Sequence, residues 1–244
     1  MTREAITPET TSVSGPRTGG DVEVDVAGER VVLLPEGALY WQRRSTLLVA
    51  DPHFGKAAAF RAAGIPVPRG GTTNALQRLD GALIRTAATR LVVLGDFLHA
   101  REGRDRETFR VLAQWRTTRP SLELLLVRGN HDRRAGDPPS ELGVQCVDAP
   151  LAVTPFVFTH HPRAAADGYV LSGHVHPAVR LSGAGRQTAR LPCFCFGSQI
   201  GVLPAFGDFT GLADIEPAPG DRVFVIVEGR VAAVHPPAHP ASSR

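Results

Sequence analysis

Five short apolar runs in this chain each end in side chains that can bind a metal ion. Each run is four to six residues long, the length of a buried strand rather than of a helix. Open α/β sheets bind their ligands at the carboxyl ends of their strands. The sequence therefore predicts that these endings meet at one edge of the fold. The runs and their endings are 46–50 with Asp51 and His53, 91–94 with Asp96, 122–127 with Asn130, His131 and Asp132, 156–159 with His160 and His161, and 169–172 with His174 and His176.

The distribution of histidine supports the same interpretation. Seven of the nine histidines fall at or just past predicted strand ends, and only His235 and His239 lie elsewhere. Neutral imidazole, carboxylate and amide oxygen together suit Mn, Fe, Zn or Co better than Ca or soft copper. Asp96 can act as a bridge, because a carboxylate has two oxygens for two cations. Two ions about 3.5–4 Å apart can activate a water between them and clamp a phosphate.

The order of elements predicts an α/β fold. Parallel-type strands alternate with helices up to about residue 130, and short antiparallel-type strands follow from residue 151. This order favours two β-sheets packed face to face, with helices on the outside. A glycine- and aromatic-rich stretch, 197–211, predicts a long packed loop with a function. The expected strands are 22–26, 31–34, 38–41, 46–50, 90–94, 122–127, 144–147, 151–159, 168–172, 177–182, 189–196, 222–228 and 230–234. The expected helices are 56–63, one capped by Thr72 or Thr73 that runs to about 88 with Leu76, Leu79, Leu83 and Ile84 on one face, and 105–118.

Length and composition limit the classes of protein. A chain of 244 residues with 43% apolar and 21% charged residues suits a single domain, placed at 21–235 between disordered tails at 1–20 and 236–244. The sequence has no run of 18 or more apolar residues and no apolar leader, which argues against a membrane span and favours the cytoplasm. A net charge of +3 does not by itself indicate nucleic acid. Cys146, Cys193 and Cys195 do not look like a disulfide framework, and the last two are expected to be buried thiols.

The order of the metal-type blocks resembles that of the calcineurin-like metallophosphoesterases. The chain has Asp-x-His at 51–53, Gly-Asp at 95–96, Gly-Asn-His-Asp at 129–132, a histidine at 160 and Gly-His-x-His at 173–176. The whole set in this order is highly specific, whereas any one block alone is weak. The resemblance implies a four-layer fold with two mixed sheets and a dinuclear phosphodiesterase. Manganese is the expected metal, with iron, zinc or cobalt as alternatives.

The same resemblance implies roles for individual residues. His131 matches a histidine that contacts the phosphate and protonates the leaving group, and Asp132 is expected to hold its ring. His161 stays open as an alternative ligand to His160. The implied ligands are Asp51, His53 and His176 for the first metal, Asp96 as the bridge, and Asn130, His160 and His174 for the second metal.

Further motifs across nearly the whole chain are similar to those of the ligase-associated DNA-damage-response endonucleases. This resemblance implies a DNA endonuclease in DNA repair that hydrolyses phosphodiesters with a metal-bridging hydroxide. It also implies a DNA ligase and a DEXH-box helicase as partners. The motifs are His53-Phe54-Gly55-Lys56, Gly64-Ile65-Pro66-Val67-Pro68, Gly95-Asp96-Phe97-Leu98-His99, Gly173-His174-Val175-His176-Pro177 and the stretch 204–211.

One departure from that pattern keeps other functions open. His161-Pro162 stands where Glu-Pro is expected in much of that group, and His-His-Pro also occurs in small-molecule phosphodiesterases of the superfamily. A small-molecule phosphodiesterase or phosphatase is therefore the alternative. A metal-stabilised scaffold without catalytic activity is a third possibility from another class.

Basic residues near the predicted edge are candidates for contacts with phosphate. Lys56 is the only lysine among the 27 basic residues, and it lies one turn after His53. Arg104, Arg133 and Arg134 also fall near this edge. The expected substrate-binding residues are Lys56, Arg61, Arg69, His99, Arg101 and Arg128.

Overall fold

The computed structural model describes residues 20–182 and 188–234. The predicted tails, 1–20 and 236–244, lie outside the described residues apart from Gly20, so their disorder stays a prediction. No helix within the described ranges is long and apolar enough to cross a membrane.

The described residues form sixteen strands and four α-helices, joined by loops and three short 3₁₀ helices. The α-helices are α1 (Lys56–Ala62), α2 (Gly71–Thr86), α3 (Arg106–Thr117) and α4 (Asn130–Ala135). The strands are β1 (Val22–Val26), β2 (Glu29–Leu34), β3 (Ala38–Trp41), β4 (Thr46–Val49), β5 (Arg90–Val93), β6 (Glu123–Val127), β7 (Val144–Val147), β8 (Leu151–Val153), β9 (Phe156–Phe158), β10 (Tyr169–Ser172), β11 (Pro177–Ser182), β12 (Thr188–Phe196), β13 (Ile200–Val202), β14 (Ala213–Asp214), β15 (Arg222–Val227) and β16 (Arg230–Val234).

Strands β1 to β7 form a mixed sheet in chain order. Neighbours from β1 to β4 are antiparallel, and neighbours from β4 to β7 are parallel. Successive side chains of a strand point to opposite faces. In β4, Leu47 and Val49 therefore face the helices, while Leu48 and Ala50 face the second sheet. Both faces of this sheet are covered at β4, β5 and β6, which explains the continuous apolar runs in these strands.

Strands β8 to β16 form the second sheet, with β14-β11-β12-β13-β10-β9-β8 as its main path and β15 and β16 joined at β12. At its centre β10 lies between β9 and β13 and is parallel to both. The expectation of antiparallel strands in this half is wrong at that point. The reason is that β13 lies inside the stretch predicted as a loop, and this later segment fills the position beside β10.

The two sheets pack face to face, and the predicted α/β architecture of two mixed sheets with outer helices is confirmed. Aromatic side chains fill the space between the sheets, where Trp41 and Phe156 meet edge to face with ring centroids 4.9 Å apart. Side chains of α2 and α3 cover the outer face of the first sheet. On the second sheet, a small apolar cluster that includes Cys193 and Val225 packs against Ile215.

Three local predictions are wrong. The run 151–159 is not one strand, because β8 and β9 form an antiparallel pair around a turn at Thr154-Pro155, and proline has no N–H for a sheet ladder. Gly70 rather than a threonine precedes α2, and the Thr72 hydroxyl accepts the N–H of Gly55 at 3.3 Å instead. Ile84 is 74% exposed, because it lies on the flank of the buried stripe of α2.

Candidate metal centre

The strand ends that carry the predicted ligands meet at one edge of the two sheets. The N–H of His53 donates to the carbonyl of Asp96 at 2.9 Å, which joins the ends of β4 and β5. Several of these residues have a left-handed backbone, a conformation that costs a non-glycine residue about 1–3 kcal/mol. Hydrogen bonds from neighbouring residues hold these backbone conformations in place. Strained backbone of this kind is often found at functional sites. The φ angles are 52° at Asp51, 46° at His53, 53° at Asp96, 70° at His174 and 52° at His176.

Two glycines allow the blocks to approach one another. A Cβ atom at Gly95, where φ is 86°, would overlap the ring of His160. A Cβ atom at Gly129 would overlap the carboxylate of Asp96. The glycines in Gly-Asp and Gly-Asn-His-Asp are therefore required by close packing around the cluster.

The carboxylate of Asp96 lies at the centre of the cluster and is 2% exposed. Its Oδ1 accepts the N–H of His131 at 2.9 Å, which fixes the orientation of the carboxylate. Its Oδ2 lies 3.8 Å from Nε2 of His53, 3.4 Å from Nε2 of His160 and 4.0 Å from Nε2 of His131. One oxygen of Asp96 therefore faces members of both predicted ligand sets.

Asp51, His53 and His176 form the first group. Their ligand atoms all lie within 4.8 Å of one another, and Asp51 and His53 are buried. Nε2 of His176 is 3.7 Å from Oδ1 of Asp51, while its Nδ1 lies 3.1 Å from the carbonyl of Gly211. A hydrogen bond from Nδ1–H to that carbonyl leaves Nε2 free to bind a metal.

Asn130, His160 and His174 form the second group. Oδ1 of Asn130 lies 2.9 Å from Nε2 of His160, and Nδ1 of His174 lies 3.1 Å from the same nitrogen. Nδ1 of His160 is 3.0 Å from the carbonyl of Leu94, which again leaves Nε2 facing the cluster. His160 is 1% exposed, whereas His161 is exposed with its ring centroid 4.1 Å from that of His174. The buried position of His160 favours it over His161 as the inner ligand.

The ring of His131 is held by a backbone carbonyl. Its Nδ1 lies 2.6 Å from the carbonyl oxygen of His99, and the two rings stack with centroids 5.2 Å apart. The prediction that Asp132 holds this ring is wrong. The buried Asp132 carboxylate instead accepts the backbone N–H groups of Asp96 at 2.7 Å, Leu98 at 3.3 Å and Gly129 at 2.9 Å. Asp132 thus ties the Gly-Asp loop to the Gly-Asn-His-Asp loop.

Burial dominates the electrostatics of the centre. Burial, together with the nearby charge of Lys56, lowers the pKa of His53 to about 2 and that of His99 to about 4. Burial raises the pKa of the Asp96 carboxyl. For His176, burial lowers the pKa, but the adjacent Asp51 carboxylate outweighs it and the net shift is upward. His53 and His99 are therefore neutral at pH 7, the form in which imidazole binds metals.

The predicted substrate residues differ in how free they are. Arg128 makes two hydrogen bonds of 2.7 Å to Asp137, and Arg101 donates to the carbonyl of Arg134 at 2.9 Å. Both guanidinium groups are already hydrogen-bonded within the protein. Binding a substrate would require these bonds to break. Lys56 is half-buried with Nζ 5.7 Å from the centroid of the Phe60 ring, and burial lowers its pKa.

Arg61 and Arg69 line a groove beside α1 and the start of α2. Arg69 is exposed, and Arg61 makes one long hydrogen bond of 3.4 Å to the carbonyl of Pro68. Arg69 donates no side-chain hydrogen bond within the described part of the chain, and the single bond of Arg61 is longer than those of Arg101 and Arg128. His99 lies inside the cluster itself, with Nδ1 3.3 Å from Nδ1 of His53.

The segment that follows β13 makes contacts at the centre that were not predicted from the sequence. Gly207 donates its N–H to the carbonyl of Asp51 at 3.1 Å, and Gly211 supplies the carbonyl beside His176. The available signal was the unusual glycine content of 197–211, which indicated a function but gave no position. Its contact with residue 51 depends on the pairing of β13, which is not a local property.

The residues fit divalent metal ions. Oδ1 of Asp51 is buried and has no hydrogen-bond partner among the described residues, and such a carboxylate oxygen is costly unless a cation faces it. Oxygen and imidazole nitrogen atoms converge on both sides of Asp96 within metal-binding range of one another. These donor types suit first-row divalent metals, although they do not identify which one.

Comparison with solved structures relates the chain to Pseudomonas putida nuclease MPE, with 42% identity and a TM-score of 0.77 over 87% of this chain and 98% of that chain. Yfce, a phosphoesterase from E. coli, is 13% identical with a TM-score of 0.36, over 75% of this chain and 88% of that chain. These values are too low to carry an argument. No protein-family model and no curated protein matches the chain.

The fold and the convergent ligand sets define a metal-dependent hydrolase of phosphoester bonds. The chain belongs to the calcineurin-like metallophosphoesterase superfamily, in the family that includes the Pseudomonas nuclease. The family relationship expected from the sequence motifs is confirmed.

Proposed function

We propose that this protein is a dinuclear-metal phosphodiesterase that cleaves DNA as an endonuclease. The observation that carries the proposal is the buried Asp96 carboxylate, whose Oδ2 faces His53 on one side and His160 on the other. The choice of DNA is supported by 42% identity to a nuclease over nearly the whole of that chain. We further propose a role in DNA repair in the cytoplasm, beside a DNA ligase and a DEXH-box helicase.

The proposed ligand sets follow the two groups around Asp96. Two divalent ions, manganese in our proposal, would supply positive charge that polarises the phosphoryl oxygens. The protein's part is to hold its donors in place, because the carbonyls of Gly211 and Leu94 orient the rings of His176 and His160. The first metal would be held by Asp51, His53 and His176, the second by Asn130, His160 and His174, and both by Asp96.

His131 is the proposed general acid. The carbonyl of His99 keeps a proton on Nδ1, so a second proton taken up at Nε2 gives the imidazolium form. That nitrogen lies 4.0 Å from Oδ2 of Asp96, on the edge of the cluster where a phosphodiester would sit. The imidazolium can pass its Nε2 proton to the leaving oxygen as the P–O bond breaks.

The test uses three substrates and one matched variant. Purified protein with Mn²⁺ should cleave single-stranded and nicked DNA as well as an aryl phosphodiester, and Asp96→Asn should abolish all three activities. Elemental analysis should find two metals in the wild type and fewer in the variant, with an unchanged circular dichroism spectrum. Full activity of Asp96→Asn with two bound metals would remove the bridge assignment.

The same experiment separates the alternatives. Cleavage of the aryl diester without any cleavage of DNA would support a small-molecule phosphodiesterase, the function that His161-Pro162 keeps open. Two bound metals without turnover of any phosphate ester would support a scaffold. Cleavage of circular single-stranded DNA distinguishes an endonuclease from an exonuclease, because a circle has no ends.

A further inference from the structure

Residues 204–211, here called the 204–211 loop, lie directly against the metal centre. The N–H of Gly207 donates to the carbonyl of Asp51 at 3.1 Å. The carbonyl of Gly211 lies 3.1 Å from Nδ1 of His176. The loop is therefore attached at two points to residues of the first ligand group.

Arg78 of α2 fixes the same loop from the outside. Its guanidinium lies 2.7 Å from Oδ1 of Asp208, donates to the carbonyl of Phe206 at 2.5 Å and lies 5.1 Å from the centroid of the Phe206 ring. The Thr210 hydroxyl closes the turn by donating to the carbonyl of Gly207 at 3.1 Å. These contacts hold the residue between Asp208 and Thr210 in one position.

That residue is Phe209, whose ring lies beside Gly71 at the start of α2 but is only partly covered. Its side chain is 47% exposed, whereas Phe206 three residues earlier is 2% exposed and already anchors the loop. Its φ of 59° is a left-handed conformation that is rare for an aromatic residue. A strained backbone that presents an apolar ring to solvent at a catalytic edge indicates a binding function.

The groups around Phe209 are of the types that bind a strand of nucleic acid. The ring lines a recess together with His53 and Lys56, so it stands beside the proposed first metal. A neighbouring groove is lined by Arg61 and Arg69 together with the carboxylates of Asp105 and Glu107, and the two depressions share a wall formed by α1 and the start of α2. A nucleic acid strand alternates bases and phosphates. An aromatic ring beside the phosphate to be cleaved can contact a base, while arginines in the adjoining groove can contact neighbouring phosphates of the same strand.

We propose that Phe209 is a substrate-binding residue that stacks on a nucleobase adjacent to the scissile phosphodiester. This inference rests on the proposed nuclease function and adds a base contact to it. Every base has a π face, so the contact selects for nucleic acid over small phosphate esters without selecting a sequence. The rigid loop supplies the ring already oriented, which lowers the entropic cost of binding.

The test compares Phe209→Ala, Phe209→Leu and Phe209→Tyr on a single-stranded oligonucleotide. Phe209→Ala should weaken oligonucleotide binding and lower kcat/KM about 5- to 150-fold, the value of one base–aromatic stack. Phe209→Tyr should keep most of the affinity, and Phe209→Leu should not, because it is apolar but has no π face. Ile84→Ala, which removes another exposed apolar side chain at the other end of α2, should match the wild type.

Abasic substrates turn this comparison into a double-mutant cycle. If Phe209 stacks on one base, removing that base should cost the wild type as much as Phe209→Ala does, and combining the two changes should cost little more. Binding is measured by fluorescence anisotropy and cleavage on gels, with metal content and melting temperature recorded for each variant.

The outcomes distinguish failure of the stacking contact from failure of the nuclease function. A Phe209→Ala penalty that is the same at every abasic position, or a Phe209→Leu variant as good as the wild type, overturns the stack while the nuclease function stands. A Phe209→Ala variant that matches the wild type on DNA has the same consequence and would leave a protein contact as the role of the ring. A wild type that cuts an aryl diester but neither binds nor cuts DNA overturns both proposals.

Discussion

At the scale of single residues, the orientation of His131 is set by backbone rather than by a second side chain. The carbonyl of His99 occupies its Nδ1, and Nε2 is left facing the cluster. A mutation elsewhere cannot remove this carbonyl without moving the chain. The proposed proton transfer can therefore be tested at His131 alone.

We expect His131→Ala to lower the rate about 10²–10⁴-fold, the usual contribution of general acid catalysis, while metal content stays near that of the wild type. The loss should shrink for esters with good leaving groups, because these depart without a proton. Rates on a series of aryl diesters with leaving groups of different pKa provide the measurement. An equal loss across the series would exclude His131 as the acid.

The metal-free protein should lose stability in acid. The pKa of His99 is about 4 in the folded chain, whereas an unfolded histidine titrates at about 6.5. Between these values the unfolded state binds more protons, so stability falls as the pH drops through that window. The lowered pKa values of His53, His161 and His174 act in the same direction, and the raised pKa values of His176, Asp96 and Asp132 oppose it.

Melting temperatures in a chelating buffer from pH 7.5 to 4.5 test this expectation. The melting temperature should fall with pH, and His99→Gln should reduce the slope, because glutamine does not titrate. The same slope in both proteins would mean that His99 does not contribute.

At the scale of secondary-structure elements, the Asp132 carboxylate joins the loops that follow β5 and β6. Asp132→Ala would leave three buried backbone N–H groups without an acceptor, and one such group costs about 1–3 kcal/mol. We expect the unfolding free energy to fall by at least this amount in chemical denaturation, and metal affinity to fall with it. Asp167→Asn, at an exposed carboxylate that makes no ion pair among the described residues, should change the unfolding free energy by less than about 0.5 kcal/mol. If Asp132→Ala were fully stable but slow only on poor leaving groups, Asp132 would act on the acid after all.

A structural feature could be predicted from the sequence where the residues that determine it lie close together in the chain. Strand β4 and Asp51 were predictable because a continuous apolar run and the polar residue that follows it lie within a few residues of each other. Two of the three partners of Asp132 were not, since Asp96 and Leu98 lie in a loop more than thirty residues earlier in the chain. Strand β13 was missed because three residues carry little pattern, and its position beside β10 is decided by the rest of the sheet. Phe209 looked like packing until its exposure was known.

At the scale of the whole molecule, Arg61 and Arg69 lie in one groove on one side of the metal centre. Charge placed there releases counterions when a DNA backbone binds, and each single-strand phosphate contact adds about 0.7 to the salt slope of the binding constant. We expect Arg61→Gln combined with Arg69→Gln to flatten the plot of log K against log salt concentration by about 1.4. Cleavage of a small aryl diester should keep more of its rate than DNA cleavage does.

The matched control removes two charges at the opposite edge of the first sheet. Arg30 and Arg44 are exposed, and they lie near the start of β4 rather than its end. Arg30→Gln combined with Arg44→Gln should leave the salt slope as in the wild type. Equal flattening by both pairs would indicate a diffuse field of the whole protein, and no flattening by either would exclude the groove as a DNA path.

The position of β13 has a consequence for the way the chain is made. Ribosomes deliver Asp51 well before residues 200–211, which pair with β10 and close over Asp51. Contacts between parts so distant in sequence form late and slowly. A nascent chain that ends before residue 200 holds the histidines of both ligand groups yet lacks the carbonyl that orients His176. We therefore expect the hydrolytic centre to assemble only after residue 211 has left the ribosome, so that a shorter nascent chain cannot hydrolyse phosphodiesters around it.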